Sequence, residues 1–373
     1  MSDTNNLTTI WSSSSHAIPP FGLFDRRDLR MEASDVGVTW TSGEFAGRST
    51  ISPLLVTRVG ASSGAALLDQ LADPAGRCLV QSVDGLEGEI LHPVPGLAAV
   101  VANVIDSAQA VAITECYNEW VAGFVTSKPG HFAGIGLIPS TGLSDAMSAL
   151  RSAQKLGLRG VTLVHPPGGP GTSPGGEALE FFQQAAEHGT VICLNEAFGG
   201  VAPDVSPRIA AGEAPVVAGF LPRFAFSGVP ESIPTLKLML VNVDAGWLPH
   251  TLQNADLNYM RAAASRTVQL ADPEALPSEY VRRMLWLSFH EDRYAVLHRD
   301  YFGEHHLLWG AALPSDGGDW PDDEQQAHRM TAGLDQASRN RLLSENTLRL
   351  FNIGDAKPFA PQEISRFRLA VLR

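Results

Sequence analysis

The chain has 373 residues, 44% hydrophobic and 18% charged, the composition of a well-packed globular protein and not of a disordered or fibrous one. Its formal net charge of −13 gives a surface that on average repels polyanions, which argues against nucleic acid and anionic membrane as partners. Residues 1–373 are expected to form a single domain, since α/β barrels often run past about 250 residues as one unit.

The first residues, MSDTNNLTTIWSSSSHAIPP, lack the basic start and apolar stretch of a secretory signal, so a cytoplasmic protein is expected. One strand should lie within the first 60 residues, and about 17–80, polar and weakly periodic, reads as a surface insertion. GEILHPV at 88–94 is the next strand. After it, LAAVVANVIDSAQAVAI is interrupted by Asn103, Asp106 and Gln109, which makes it a buried helix and not a membrane span. HFAGIGLIP at 131–139, LRGVTLVHP at 158–166, TVICLNE at 190–196, LKLMLVNV at 236–243, MLWLSFH at 284–290 and HLLWGAA at 306–312 are further strands. Between them, AMSALRSAQKLG, EALEFFQQAAEHG, HTLQNADLNYMRAAASR and EYVRRMLWL carry helix formers, and NRLLSENTLRLFNI is a helix near the C-terminus.

The strand runs are almost continuously apolar, as parallel strands covered on both faces are. Eight of them alternating with helices predict an α/β fold, a (β/α)8 TIM barrel with C-terminal helices. An open dinucleotide-binding sheet would need a G-x-G-x-x-G turn; PPGGPGTSPGG at 166–176 lacks that spacing and reads as a long loop. Cys78, Cys116 and Cys193 show neither pairing nor metal-ligand spacing, and are expected to be buried thiols in a reducing compartment.

CYNEWVAGF at 116–124, KLGLRGVTL at 155–163, PTLKLMLVNVDAGWLPHTL at 234–252, LPSEYVRRMLW at 276–286 and LLWGAALPSDGGDWP at 307–321, in that order, resemble the amidohydrolase-2 family. RCLVQSVDGLEGEILHPVPGL at 77–97 extends the likeness. This group of metal-dependent barrels includes aminocarboxymuconate-semialdehyde and resorcylate decarboxylases. The resemblance implies a divalent metal at the C-terminal mouth of the barrel, held by a His-x-His or His-x-x-Glu pair at strand one, a His ending strand five and an Asp ending strand eight. It also implies a dimer.

The chain departs from that plan at each ligand. Ala312 falls where the strand-eight Asp would stand and Ser315 where the next His would. Asn195 takes the place of the strand-five His, and Asn242 that of an acidic residue in strand six. At strand one His16 matches the first ligand, but Pro19 stands for the Glu and Ser14 for the preceding Asp. A divalent metal needs three or more donors at fixed distances, so no metal and no other cofactor is expected.

The remaining polar residues of the mouth are the candidates for chemistry. His165 directly follows a strand and can exchange protons near neutrality. Asp244, at the end of strand six, is placed for a raised pKa, and Asn195 can donate to an oxyanion. These three are the expected catalytic set; His16, Glu196, Phe198, Trp247, Ser315 and Asp316 are the expected substrate contacts. Trp309 and Trp320 join Phe198 and Trp247 as a possible apolar wall. His290, Glu291 and Asp292, diverging along the chain, read as a polar loop, and Asp319 as a solvated turn residue. Two functions follow. One is a metal-independent enzyme doing acid/base chemistry (decarboxylation, dehydration, cyclisation or hydrolysis) on a small aromatic or polyketide-like molecule. The other is a silent relative that binds a small molecule or stabilises an active homologous subunit.

Overall fold

The computed structural model describes residues 9–34, 36–200, 216–264, 270, 272, 275–315 and 317–354. Asp316 lies outside them. Eight parallel strands form a TIM barrel: β1 Trp11–Ala17, β5 Gly88–Pro93, β6 Phe132–Leu137, β7 Gly160–Thr162, β8 Val191–Leu194, β9 Leu238–Leu240, β10 Leu285–Phe289 and β11 Leu307–Trp309. They pair in chain order, each with the next strand of the barrel. All seven later strands stand where the sequence predicts them, and the early one is the serine-rich β1.

That strand is buried over its whole length although four of its seven residues are serines. Its hydroxyls explain why. Ser12 Oγ and Ser15 Oγ bond each other at 2.8 Å, Ser12 Oγ accepts from Ala311 N at 2.9 Å, and Ser13 Oγ donates to Leu308 O at 3.4 Å. The seam between the first and last strands is thus stitched by three of the four hydroxyls, Ser14 Oγ being buried without a partner among the described residues. Gly310 belongs to the same seam, because a Cβ there would collide with Ser14.

Residues pointing into the barrel (Trp11, Ile90, Ala133, Ile135, Val191, Cys193, Met239, Val241, Trp286 and Leu308) make one cluster, and Leu350 and Phe351 from the C-terminal helical segment join it. The start of β1 and the end of that segment therefore plug the N-terminal side of the barrel and leave the C-terminal side for a site.

Four local readings change. The apolar run after β5 is two helices, Pro95–Asn103 and Ser107–Thr126, broken where Asp106 accepts from Gln109 N at 2.7 Å as an N-cap. The segment EYVRRMLWL is helical only to Met284 before β10 begins. Between β1 and β5 lies an antiparallel meander, β2 Arg30–Ser34, β3 Gly37–Ser42 and β4 Phe45–Thr50, with Trp40 buried beneath it. Cys78 is half-buried, whereas Cys116 and Cys193 are buried and all three are free. Among the described residues no helix is long and apolar enough to cross a membrane.

Candidate active site

The site is built on strand ends. His16 is the next-to-last residue of β1 and is 2% exposed. Its backbone is clamped from both sides: His16 N donates to Leu313 O at 2.7 Å, and Arg77 Nη1 donates to His16 O at 3.2 Å. Arg77 is itself held by a bidentate pair with Glu89, at 2.9 and 2.7 Å, both residues being fully buried. Burial, then His92, then Arg77 lower the His16 pKa to about 3, so the ring is neutral at physiological pH. Asn242 Nδ2 lies 3.5 Å from His16 Nε2; an amide N–H donates there, which leaves the lone pair on Nε2 and the proton on Nδ1.

Glu196 follows β8 and brings its Oε1 to 4.0 Å from the same Nε2. The side chain keeps 23% exposure, yet Oε2 is buried and has no partner among the described residues. Burial raises its pKa to about 8. Glu196 and His16 therefore meet as a neutral carboxylic acid and a neutral imidazole, a pair in which neither charge has to be buried.

Asn195 follows Val191 and Cys193 in the alternation of β8 and so faces the barrel axis. Its Oδ1 accepts from Ala197 N at 3.1 Å, which leaves a buried, unpartnered NH2. His92, at the inward end of β5, donates Nε2–H to Ser13 O at 2.9 Å; burial lowers its pKa to about 4 and Nδ1 is unpartnered. Alternation from Ile90 marks His92 as inward-facing, a signal the sequence reading did not use. Asn242, Asp244 and Ala312 all adopt left-handed backbone, with φ of 54°, 53° and 55°. Such conformations cost on the order of 1 kcal/mol or more for residues with a Cβ, and three at one end of a barrel mark a shaped site.

The other expected residues are set apart. His165 is half-buried beside Gly200, where burial lowers its pKa. Asp244 is exposed as a residue, but its carboxyl tip is partly desolvated, and that together with Asp292 raises its pKa. No hydrogen bond or ion pair among the described residues joins His165, Asn195 and Asp244. Phe198 is 3% exposed and packs on Phe220 at 5.0 Å, a core ring. Trp247 is half-buried and donates to Val243 O, Trp320 is buried and donates to Val80 O, and Trp309 is fully buried, so these rings form no shared wall. Ser315 shapes the loop after β11, accepting from Gly317 N at 3.4 Å.

The polar-loop reading of the segment after β10 holds for two residues. Glu291 accepts from Gln326, and Asp292 accepts from Ala245 N and Ala295 N. His290 differs: it turns to Asp319 and Asp323.

The amidohydrolase-2 family model, described as Amidohydrolase, matches residues 84–353. The chain belongs to the amidohydrolase-2 family. No curated protein matches it. Among solved structures, an amidohydrolase from Mycobacterium avium subsp. paratuberculosis K-10 has a TM-score of 0.70 at 14% identity, over 92% of this chain and 99% of that one. The 5-carboxyvanillate decarboxylase of Sphingomonas paucimobilis has a TM-score of 0.65 at 18% identity, over 93% and 100%. A dihydroxybenzoic acid decarboxylase from Polaromonas sp. JS666, with bound manganese and 2-nitroresorcinol, has a TM-score of 0.63 at 16% identity, over 95% and 100%.

The divalent metal implied by the amidohydrolase-2 resemblance does not fit these strand ends. Ala312 offers a methyl group, Asn195 turns its NH2 outward from a carbonyl already bonded, and Asn242 presents an N–H donor to His16. His16, His92 and Glu196 remain, but among the described residues they do not bring one ligand atom each to within 4.8 Å of one another, as a bound metal requires.

Proposed function

We propose that this amidohydrolase-2 protein is a lyase that decarboxylates a small aromatic acid by acid/base chemistry, without a metal at the strand ends. The observation that carries the reading is the Glu196–His16 pair: a protonated acid and a neutral base 4.0 Å apart at the mouth. Structural neighbours that act on 5-carboxyvanillate and dihydroxybenzoates support the substrate class.

The residues suit the steps such a reaction needs. Glu196 delivers its proton to the ring carbon that bears the carboxylate. The bond to that carboxylate then breaks, its electron pair restores the aromatic ring, and carbon dioxide leaves. Glu196 is left as a carboxylate and takes a proton from water. His16, whose Nε2 lone pair is taken by Asn242, stands beside the acid as a neutral group, and the unpartnered NH2 of Asn195 donates to oxygen where charge builds up. His165 and Asp244, on the surrounding loops, contact the outer part of the substrate. A mouth whose acid and base are both neutral also leaves a substrate carboxylate poorly solvated, which favours its loss.

The silent-relative reading has one observation in its favour, the replacement of the expected metal ligands by Ala312 and Asn195. A panel of hydroxybenzoates and methoxylated benzoates, with carbon dioxide release measured with and without added manganese, separates the two. Release that does not depend on manganese supports the lyase. No release from any acid under either condition supports the silent relative.

A further inference from the structure

Outside the strand-end site, His290, Asp319 and Asp323 bring one ligand atom each to within 4.8 Å of one another. His290 follows β10, Asp319 lies in the loop after β11, and Asp323 begins the helix Asp323–Met330. We propose that these three residues bind a divalent metal ion at the rim of the barrel, at a position distinct from the one the family plan implies.

The histidine's hydrogen bonding is the first support. His290 Nδ1 lies 2.8 Å from Gly310 O, and a carbonyl only accepts, so Nδ1 carries the proton. Nε2 is therefore the ring nitrogen that faces Asp319 Oδ2 at 3.1 Å and Asp323 Oδ1 at 3.8 Å. A positive centre at Nε2, a proton or a metal ion, makes the approach to two carboxylate oxygens favourable. A backbone carbonyl fixing one ring nitrogen so that the other ligates is the usual outer support of a metal-bound histidine. Ligands at about 2.1 Å from one ion stand roughly 3.0 Å apart in octahedral and 3.4 Å in tetrahedral geometry, which the 3.1 Å His290–Asp319 separation matches and the 3.8 Å separation to Asp323 reaches with a small closure.

Asp323 is the second, independent support. It is fully buried, and its Oδ1 faces His290 Nε2 at 3.8 Å. Its neighbour Asp84, 1% exposed, accepts from Asp323 N at 3.1 Å and shares a side-chain hydrogen bond with it. That bond between the two carboxyls holds Asp323 so that Oδ1 is the oxygen turned to His290. Asp323 Oδ1 also accepts from Asp319 N at 3.1 Å, so the second carboxylate is held in place by the third ligand. Asp319 is 36% exposed in its side chain, which leaves a route for the ion and room for water ligands. One imidazole and two carboxylates suit manganese or zinc better than calcium.

The assignment does not rest on the reaction proposed above, and its test needs no substrate. Chelator-stripped protein is titrated with manganese, with free ion followed by electron paramagnetic resonance and the melting temperature recorded in parallel. One ion per chain and a rise in melting temperature are expected. His290→Ala and Asp319→Asn, both in partly exposed residues, should each weaken binding at least about tenfold. Glu196→Gln should bind as the wild type does. The assignment is overturned if no ion binds at about 1 mM manganese, if binding is indifferent to both rim variants, or if it is lost in Glu196→Gln instead.

Discussion

Asn195 shows how one side chain's hydrogen bonds settle its role. Its carbonyl is occupied by Ala197 N and its NH2 is buried without a partner, so it can act only as a donor. Asn195→Ala is predicted to lower kcat by about 10²–10³ with little change in KM, measured by steady-state carbon dioxide release. An equal rise in KM with kcat intact would make it a plain binding group. His165→Ala and Asp244→Asn, which no hydrogen bond links to Glu196, are predicted to change kcat by less than about tenfold and to act mainly on KM. At this scale the sequence was partly readable. Order along the strands placed His16, Asn195 and Glu196 at the mouth, and alternation would have added His92. The partnership of His290 with Asp319 spans 29 residues and depends on how a loop folds back, which no local pattern encodes.

Among the elements, the buried Arg77–Glu89 pair matters most. It ties the helix Pro74–Val83 and β5 to the carbonyls of His16, near the end of the first strand, and Leu313, in the loop after the last. Glu89→Gln leaves a buried guanidinium without its countercharge, and a loss of about 3–5 kcal/mol is predicted, checked by urea denaturation. A loss below about 1 kcal/mol would mean that the pair does not brace the barrel. The later strands were legible because both faces are buried and their apolar runs are unbroken. The β2–β4 meander was not, since Gly37–Ser42 alternates over only six residues and Thr and Ser occupy half of them. The break at Asp106 shows that a capping side chain can outweigh a continuous hydrophobic run.

For the whole molecule, buried histidines link stability to pH. Burial lowers the pKa values of His16, His92 and His306 to about 3, 4 and 4. The unfolded chain takes up protons at these sites below about 6.5, while the folded chain does not, so their contribution to stability is present above 6.5 and lost as pH falls toward 4. His306 lies far from the mouth, before β11, which lets it be tested alone. In His306→Gln the slope of unfolding free energy between about pH 4.5 and 6 should be shallower by close to one proton, about 1.4 kcal/mol per pH unit. Identical slopes in the two proteins would refute the linkage. Glu196 acts in the opposite sense: its raised pKa gives stability that is present below its ordinary value of 4.5 and lost as pH rises through about 8.

The same titration governs catalysis, and the pH profile of carbon dioxide release by the wild type and by Glu196→Gln is the most direct test of the proposed chemistry. Glu196 is an acid only while protonated. The wild-type kcat/KM should therefore hold through neutral pH and fall by about tenfold per unit above about 8. Glu196→Gln should be slower by on the order of 10²–10⁴ at every pH, with no rescue by added manganese. A variant that releases carbon dioxide at the wild-type rate, or a wild type that is active only with manganese and shows no break near pH 8, would contradict Glu196 as the acid of a metal-free mouth.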